Sequence, residues 1–539
     1  MRTAAIEKTL LFGTIALGAV LRIAHFLGVG SLWHDEACLA LNIVQRNFFQ
    51  LLKPLDYDQV SPIGYLWIEK AVTLLLGSSE AALRLPSLLA SLAVLVLIAL
   101  LANRLFGIWC AIVATAAIAV SPLWIYYAAE LKSYSLDAAL ALCILLWLQS
   151  LLSNTPHSRH WYYFLASAAV ALFLSESIVL VLVSIAAALA IASPRKYRPQ
   201  AAALAAISLI VAGALYFAVY RAESHGVFLK GYWAQYEIAL ATPGFKTRLS
   251  SSFFEMFSRS LDSLAPYSRT SVNILLAGLG AWLALRRRQL VWIVALVCPF
   301  LLLFLASFAG AYPIAPRTIL FALPLLILLI AIQVAWLAQA IIGRRAIWLA
   351  PCTLVLLAFL ARGVSLSNAK LSPEFPRVSK EAVGAYQSRR DCDPLYVFSS
   401  SMPVWLFYSR TPPHSPHPSP ELVHNIVERN NKRVFAQDQP FPGALAPQHD
   451  GCRTVLFGEL PPQQTTVPEN YDWAAAEMRR IATTGARRVY VFGELFSSAA
   501  LDSLRLEAAK CGGTETTVLT RPGRGYLGEL LFPKDNSCR

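Results

Sequence analysis

Ser31-Leu32-Trp33-His34-Asp35-Glu36-Ala37 follows directly on a long apolar run that ends near Leu27. Two adjacent carboxylates where a hydrophobic helix meets water are costly unless solvated or paired, so such a pair marks a functional site by default. What the pair means depends on the run before it. Residues 8–28 are apolar enough to cross a bilayer, with few charges ahead of them and no small-residue cleavage site behind. The run therefore reads as a retained signal anchor and not as a cleaved leader.

The same kind of segment recurs along the chain. Of 539 residues, 56% are hydrophobic and only 14% charged, against about 25% charged in soluble domains. Spans are expected near 8–28, 84–103, 107–124, 134–152, 161–174, 177–193, 200–220, 271–285, 289–309, 317–341 and 346–364. The formal charge of +14 does not point to nucleic acid, because the basic residues sit in short gaps between apolar segments. Arg2 and Lys8, Arg104, Arg159, Arg195 with Lys196 and Arg198, Arg286 to Arg288, and Arg344 with Arg345 all fall on one side if every span crosses once. The positive-inside rule makes that side cytoplasmic. The segments 29–83, 125–133, 221–270, 311–316 and everything after about Leu366 are then outside. Spans 161–174 and 177–193, with Ser175-Glu176-Ser177 between them, read as a thin or re-entrant hairpin.

The expected architecture is an α-helical polytopic membrane protein with about 11 transmembrane helices and a C-terminal soluble α/β domain. Its parts are a transmembrane domain over 1–365, with an outer catalytic loop at 29–83, and an extracytoplasmic domain over 366–539. Within the loop, Cys38 to Leu52 has apolar residues at helical spacing and reads as a surface helix; Ser61 to Gly77 reads as a second surface helix or a short dipping one. In the tail, β-rich runs at Pro394–Ser399, Arg453–Gly458, Arg488–Gly493 and Thr514–Leu519 alternate with helical stretches near 374–389, 472–484 and 497–511, and 411–419 reads as a loop. Cys38, Cys110, Cys143, Cys298 and Cys352 read as small hydrophobes in or near spans. Cys392, Cys452, Cys511 and Cys538 lie in the tail, where disulfides persist, and allow three pairings. Cys392 and Cys452 each precede a strand and are candidates for neighbours.

Three places could carry chemistry. The first is Asp35 with Glu36, crowded by His34, Asp56, Tyr57, Asp58, Gln59 and Ser61. A general base must reach the acceptor proton and be ionised, and a carboxylate at a wet interface meets both needs. The plainer reading is a solvated helix terminus. The second is the run Tyr126 to Asp137, which holds Glu130 and Lys132. Glu130 and Asp137 share a face if the run is helical. Asp137 lies about a turn inside the next span and needs a partner, supplied either by substrate or by Lys132 or an arginine. The third is Arg317 at the outer entrance of an apolar segment, where it either snorkels or holds a lipid phosphate in its planar fork. Arg84 and Lys70 are secondary candidates for the same task. A lipid-linked sugar phosphate uses all three kinds of group. Its chain lies in the bilayer, cations take its phosphate, and a carboxylate deprotonates the hydroxyl that attacks the sugar carbon. One displacement inverts the anomeric centre.

At these residues the chain resembles the polyprenyl-phosphate-dependent glycosyltransferases of the GT-C fold, and within them the branch of protein O-mannosyltransferases and bacterial aminoarabinose transferases. The matching pieces are Trp33-His34-Asp35-Glu36, Tyr57-Asp58-Gln59-Val60-Ser61-Pro62, Gly77-Ser78-Ser79-Glu80 with Leu83-Arg84-Leu85-Pro86, Glu130 to Asp137, and Tyr312-Pro313 with Arg317 and Pro324. The resemblance implies that Asp35 is the catalytic carboxylate, that Glu36 supports it, and that Asp137 is a second acidic position. It makes Arg317 a donor-phosphate contact. Arg84, Lys132, Glu130, Tyr57, Asp58 and Gln59 would line the substrate. Aminoarabinose transferases place a lysine just before the loop proline, where this chain has Ser61, so the phosphate falls to other cations.

The resemblance implies no required cofactor. A divalent metal held by His34, Asp35, Glu36 and Asp58 stays open, since hard cations take oxygen ligands. The expected partners are a polyprenyl-phosphate-linked sugar, a glycan, lipid or protein acceptor, and membrane lipid, not nucleic acid. The expected location is the bacterial inner membrane, multi-pass, with a cytoplasmic N-terminus and an extracytoplasmic tail. The alternative is a multi-pass transporter or lipid flippase without transferase activity. Transporters place ionisable residues near the midplane in two related halves, and here the acidic residues gather at one interface.

Overall fold

The computed structural model describes residues 2–57, 59–153, 158–221, 233, 270–342, 349–371, 377–409, 448–450, 452–458, 473–494, 498–519 and 524–533. The chain divides into two compact units: one from residues 1–28, 61–221 and 232–372, the other from 29–60 and 373–539. The segment 29–83 is thus shared out. Its residues 29–60 fold with the C-terminal part and the rest with the helical part.

The described residues of the first unit form helices joined by turns. Its elements are α1 (Arg2–Gly28), α3 (Ile63–Leu76), α4 (Glu80–Phe106), α5 (Ile108–Ala119), α6 (Pro122–Tyr127), α7 (Tyr134–Ser153), α8 (Ser158–Leu174), α9 (Ile178–Ala192), α10 (Arg198–Leu215), α11 (Thr270–Arg286), α12 (Leu290–Phe308), α13 (Leu323–Ile342) and α14 (Leu349–Leu371). Seven described helices are long and apolar enough to cross a membrane: Ala4–Gly28, Glu80–Phe106, Tyr134–Ser153, Arg195–Tyr220, Leu290–Phe308, Leu323–Ile342 and Leu349–Leu366. Helices α5, α8, α9 and α11 are shorter.

Two boundaries differ from the sequence reading for local reasons. The expected span 107–124 breaks at Ser121-Pro122, because proline has no N–H and its predecessor avoids the helical region. Ser121 is extended, and Pro122 then starts α6. The segment expected as 317–341 becomes helical only at Leu323, after a run of turns. Arg344 and Arg345, and the loop 221–270 apart from Arg221, Trp233 and Thr270, lie outside the described residues, as does 411–419.

Turn chemistry fixes the hairpin between α3 and α4. Gly77 ends α3 at φ 82°, a left-handed conformation that only glycine adopts cheaply. Ser79 then caps α4, its hydroxyl accepting from Ala82 N at 3.2 Å. Deeper in the bundle, the guanidinium of buried Arg22 donates to Ser91 Oγ (2.9 Å) and to the carbonyls of Gly18 (2.9 Å), Ala119 (3.3 Å) and Ile118 (3.0 Å). It thereby adds a donor to the carbonyls at the end of α5.

The second unit is an α/β domain. Its sheet order is β2-β3-β1-β4-β6-β5, from β1 (Leu395–Val397), β2 (Gln448–Asp450), β3 (Arg453–Phe457), β4 (Arg488–Glu494), β5 (Thr514–Leu519) and β6 (Arg524–Leu531). Strands β3, β1 and β4 run parallel; β2 and the β6–β5 pair are antiparallel. Parallel strands are covered on both faces, and alternation along β4 shows it. Val489 and Val491 join a core with Trp473 and Met478 of α17 (Trp473–Ala482) and Leu501 and Leu504 of α18 (Ser498–Lys510). Tyr490 and Phe492 face the other way and meet Tyr386 of α15 (Ser379–Gln387) and Trp405 of α16 (Met402–Tyr408). All four expected strands and three expected tail helices are present; β2, β6 and α16 are additional. Cys392 and Cys452, at like ends of paired strands β1 and β3, form a disulfide.

Candidate active site

Helix α2 (His34–Gln45) carries Asp35 in its first turn. Trp33 is the N-cap, and its backbone N–H donates to Glu36 Oε2 at 3.4 Å, half of a capping box. Glu36 is fully buried, and the same oxygen accepts from Arg377 Nη1 at 3.2 Å. Its carboxylate is therefore engaged in a cap and an ion pair. Asp35, one residue earlier and about 100° around the helix, is half-buried and accepts from Gln59 Nε2 at 3.2 Å. Gln59 Nε2 also reaches the Tyr57 carbonyl at 3.4 Å. Tyr57 sits at φ 63°, strained for a residue with a Cβ. Such strain persists where surrounding structure enforces it, often at functional sites.

The C-terminal segment holds this loop residue by residue. Ser31 N donates to the Arg377 carbonyl (3.0 Å), and Leu32 N to the Tyr408 hydroxyl (2.6 Å). His34 Nδ1 pairs with the Ser400 carbonyl. Further along, Asn42 and Asp56 exchange two bonds, and Arg46 pairs with Asp56 at 2.9 Å.

The other residues expected at the site belong to the helical unit. Asp137 is in the first turn of α7, as expected, where the positive end of the helix dipole favours a carboxylate. Its Oδ2 accepts from Ser133 Oγ at 3.4 Å, and no ion pair to it forms among the described residues. Glu130 lies in a turn and not on a helix, so the shared-face argument linking it to Asp137 fails: residues 128–133 are turns and bends. Lys132 accepts from Ser87 Oγ through its carbonyl at 2.8 Å, and Arg84, on α4, is buried.

Arg317 sits in the turns before α13 and not at the helix entrance. Thr318 knots that stretch: its Oγ1 donates to the carbonyls of Pro313 (2.7 Å) and Ala315 (3.0 Å), and its own carbonyl accepts from the Tyr312 hydroxyl (2.8 Å). The guanidinium lies 4.7 Å from the centroid of the Trp233 ring, a cation–π contact. Tyr127 shares the neighbourhood. Burial holds its hydroxyl well above the usual tyrosine range, Tyr134 and Tyr126 add to this, and the Arg317 charge opposes it. Tyr126, Tyr127 and Tyr134 stack edge to face, with centroids 5.1 and 5.3 Å apart. The sequence gives no signal that Tyr127 lies near Arg317.

Arg377 and Ser400 were also invisible as site-forming residues, because they lie more than 340 positions from Asp35. Of the possible metal ligands His34, Asp35, Glu36 and Asp58, the first three are described. His34 Nδ1 and Glu36 are engaged elsewhere, and among the described residues no group of three or more ligands gathers. Asp58 lies outside the described residues.

Residues 60–219 match the family model of the dolichyl-phosphate-mannose-protein mannosyltransferases. That stretch holds Arg84, Glu130, Lys132 and Asp137, but neither Asp35 nor Arg317. No curated protein sequence matches the chain. Among solved structures, it resembles ArnT from Cupriavidus metallidurans bound to undecaprenyl phosphate, with a TM-score of 0.55, 14% identity, and 96% of this chain and 97% of that one covered. The apo form of the same protein gives a TM-score of 0.53, 15% identity and 98% of each chain. The Archaeoglobus fulgidus oligosaccharyltransferase is more loosely similar, with a TM-score of 0.47, 12% identity and 74% and 61% covered. The match over residues 60–219 and the architecture shared along almost the whole length show that the chain has the GT-C fold, with helices long and apolar enough to cross a membrane.

Proposed function

We propose that the protein moves a sugar from a polyprenyl-phosphate donor to an acceptor hydroxyl outside the cytoplasm, with inversion. Asp35 takes the acceptor proton as the oxygen attacks the anomeric carbon. The bond from that carbon to the phosphate oxygen breaks, and polyprenyl phosphate leaves carrying the electron pair. A phosphate needs no proton to leave, so cationic stabilisation suffices. Arg317 supplies it, helped by Lys132 and Arg84, and Asp137 orients the sugar.

The observation that carries this reading is the placement of Asp35. It is half-buried on the first turn of a short helix, with an amide donor at 3.2 Å and its neighbour Glu36 committed to structure. The undecaprenyl phosphate bound in the ArnT neighbour supports the donor class. A disulfide in the second unit supports an oxidising compartment for residues 29–60 and 373–539, hence an extracytoplasmic site in a bacterial inner membrane. Nothing found favours the transporter or flippase reading.

The test is Asp35→Asn in purified, lipid-reconstituted protein supplied with a radiolabelled polyprenyl-phosphate sugar and envelope extract. Transfer should fall by about 10²–10⁴-fold, the range lost with a general base, while the thermal midpoint holds. Transfer at the wild-type rate would remove Asp35 from the mechanism.

A further inference from the structure

The first turn of α2 is bracketed by one residue of the C-terminal segment. Arg377 touches the loop at three residues close to Asp35 in sequence. Its carbonyl accepts from Ser31 N at 3.0 Å, its guanidinium donates to Glu36 Oε2 at 3.2 Å, and it lies 5.9 Å from the Trp33 ring centroid. The fit at Gly30 is tight enough to exclude a side chain, since a Cβ there would fall 2.2 Å from the Arg377 carbonyl oxygen.

These contacts have a geometric consequence. Glu36 is fully buried and its pairing fixes one face of α2. The pair therefore adds, at the first turn, to the buried face Ala37–Ile43 that fixes how α2 is rotated and hence where Asp35 points. Gln59 then reaches the carboxylate from a separate stretch of the loop. An ion pair linking residues 341 positions apart is not needed to build a 12-residue helix that already carries an N-cap. With the Leu32–Tyr408 and His34–Ser400 contacts, it registers that helix against the α/β domain.

We infer that Arg377 is a positioning residue for the transfer reaction: acting through Glu36 and Trp33, it sets the angle at which Asp35 meets the acceptor hydroxyl. The inference rests on the reading of Asp35 as the base. It makes the C-terminal domain part of the catalytic apparatus, supplying a rigid seat for the proton-accepting loop. Arg377 touches neither sugar nor phosphate in this scheme, so its loss affects the rate of the bound complex and leaves donor affinity alone.

The experiment compares full-length Arg377→Met, Arg377→Lys, Glu36→Gln and Asp35→Asn in reconstituted protein, measuring kcat and donor KM with thermal unfolding alongside. Arg377→Met and Glu36→Gln should each lower kcat by about 100-fold, the cost of misplacing a reacting group by about an ångström. Donor KM should stay within twofold, and Arg377→Lys should recover part of the rate by restoring a cation opposite Glu36. Wild-type kcat in folded Arg377→Met or Glu36→Gln, with Asp35→Asn inactive, overturns the positioning role and leaves the base assignment standing. Wild-type kcat in Asp35→Asn overturns both. Activity that falls only in step with the folded fraction in all three pair variants makes the contact merely structural and also overturns the inference.

Discussion

At the scale of single residues, adjacent carboxylates take opposite roles. Asp35 and Glu36 look equivalent in sequence, but a turn of about 100° puts one on a half-buried face and the other against an arginine. Burial also decides Glu69, on α3, a helix too short to span a bilayer. It has no solvent exposure, and desolvation pushes its carboxyl from 4.5 up to about 8, with the Tyr65 hydroxyl opposing only in part. The folded state keeps this proton to about pH 8 and the unfolded state releases it near pH 4.5. Between those values the native form binds more protons, so stability falls as pH rises through the window. Glu69→Gln should therefore raise the thermal midpoint most at pH 8 and above, and leave it almost unchanged near pH 4.5. A melt series across that range checks it; a gain independent of pH would sink the explanation.

Between elements, the helical unit depends on close approach at small residues, the usual device where lipid supplies no hydrophobic drive between helices. Gly280 of α11 is the tightest case: a Cβ there would lie 1.8 Å from the carbonyl oxygen of Leu329 on α13. Gly18 of α1 similarly faces Ala119 at the end of α5. Gly280→Ala should force α11 away from α13 and destabilise the fold in detergent by about 1–3 kcal/mol, the range for overpacking, seen as a lower thermal midpoint. Gly278→Ala, with nothing within 4 Å of its would-be Cβ, is the control and should be neutral. Equal behaviour of the two variants would show that the contact is not tight.

For the whole molecule, the Cys392–Cys452 disulfide links strands that are already neighbours in the sheet across a sequence separation of 60. Replacing both cysteines with serine should destabilise the second unit by about 4 kcal/mol in the chain-entropy limit, less if the denatured chain stays compact. Because residues 29–60 fold with that unit, transfer activity should become temperature-sensitive at the same time. Alkylation with and without reductant, followed by mass analysis, reports the pairing. Free thiols at both positions in protein made in its own cell would contradict an extracytoplasmic site.

Much of this was legible in the chain itself. Apolar run length reports spans because the bilayer sets a minimum length, and strand–helix alternation in the tail reports α/β order because each element buries its own periodic face. Asp35, Asp137 and Arg317 stood out because a charge beside apolar sequence is expensive wherever the chain finally goes. Partnership was not legible. No local pattern ties Glu36 to Arg377, Arg317 to Trp233, or the segment 29–60 to the C-terminal unit, since these contacts join positions distant in sequence and depend on how whole elements pack. Residue chemistry alone marks the side chains that are costly to place; which neighbours meet that cost follows from packing between distant elements.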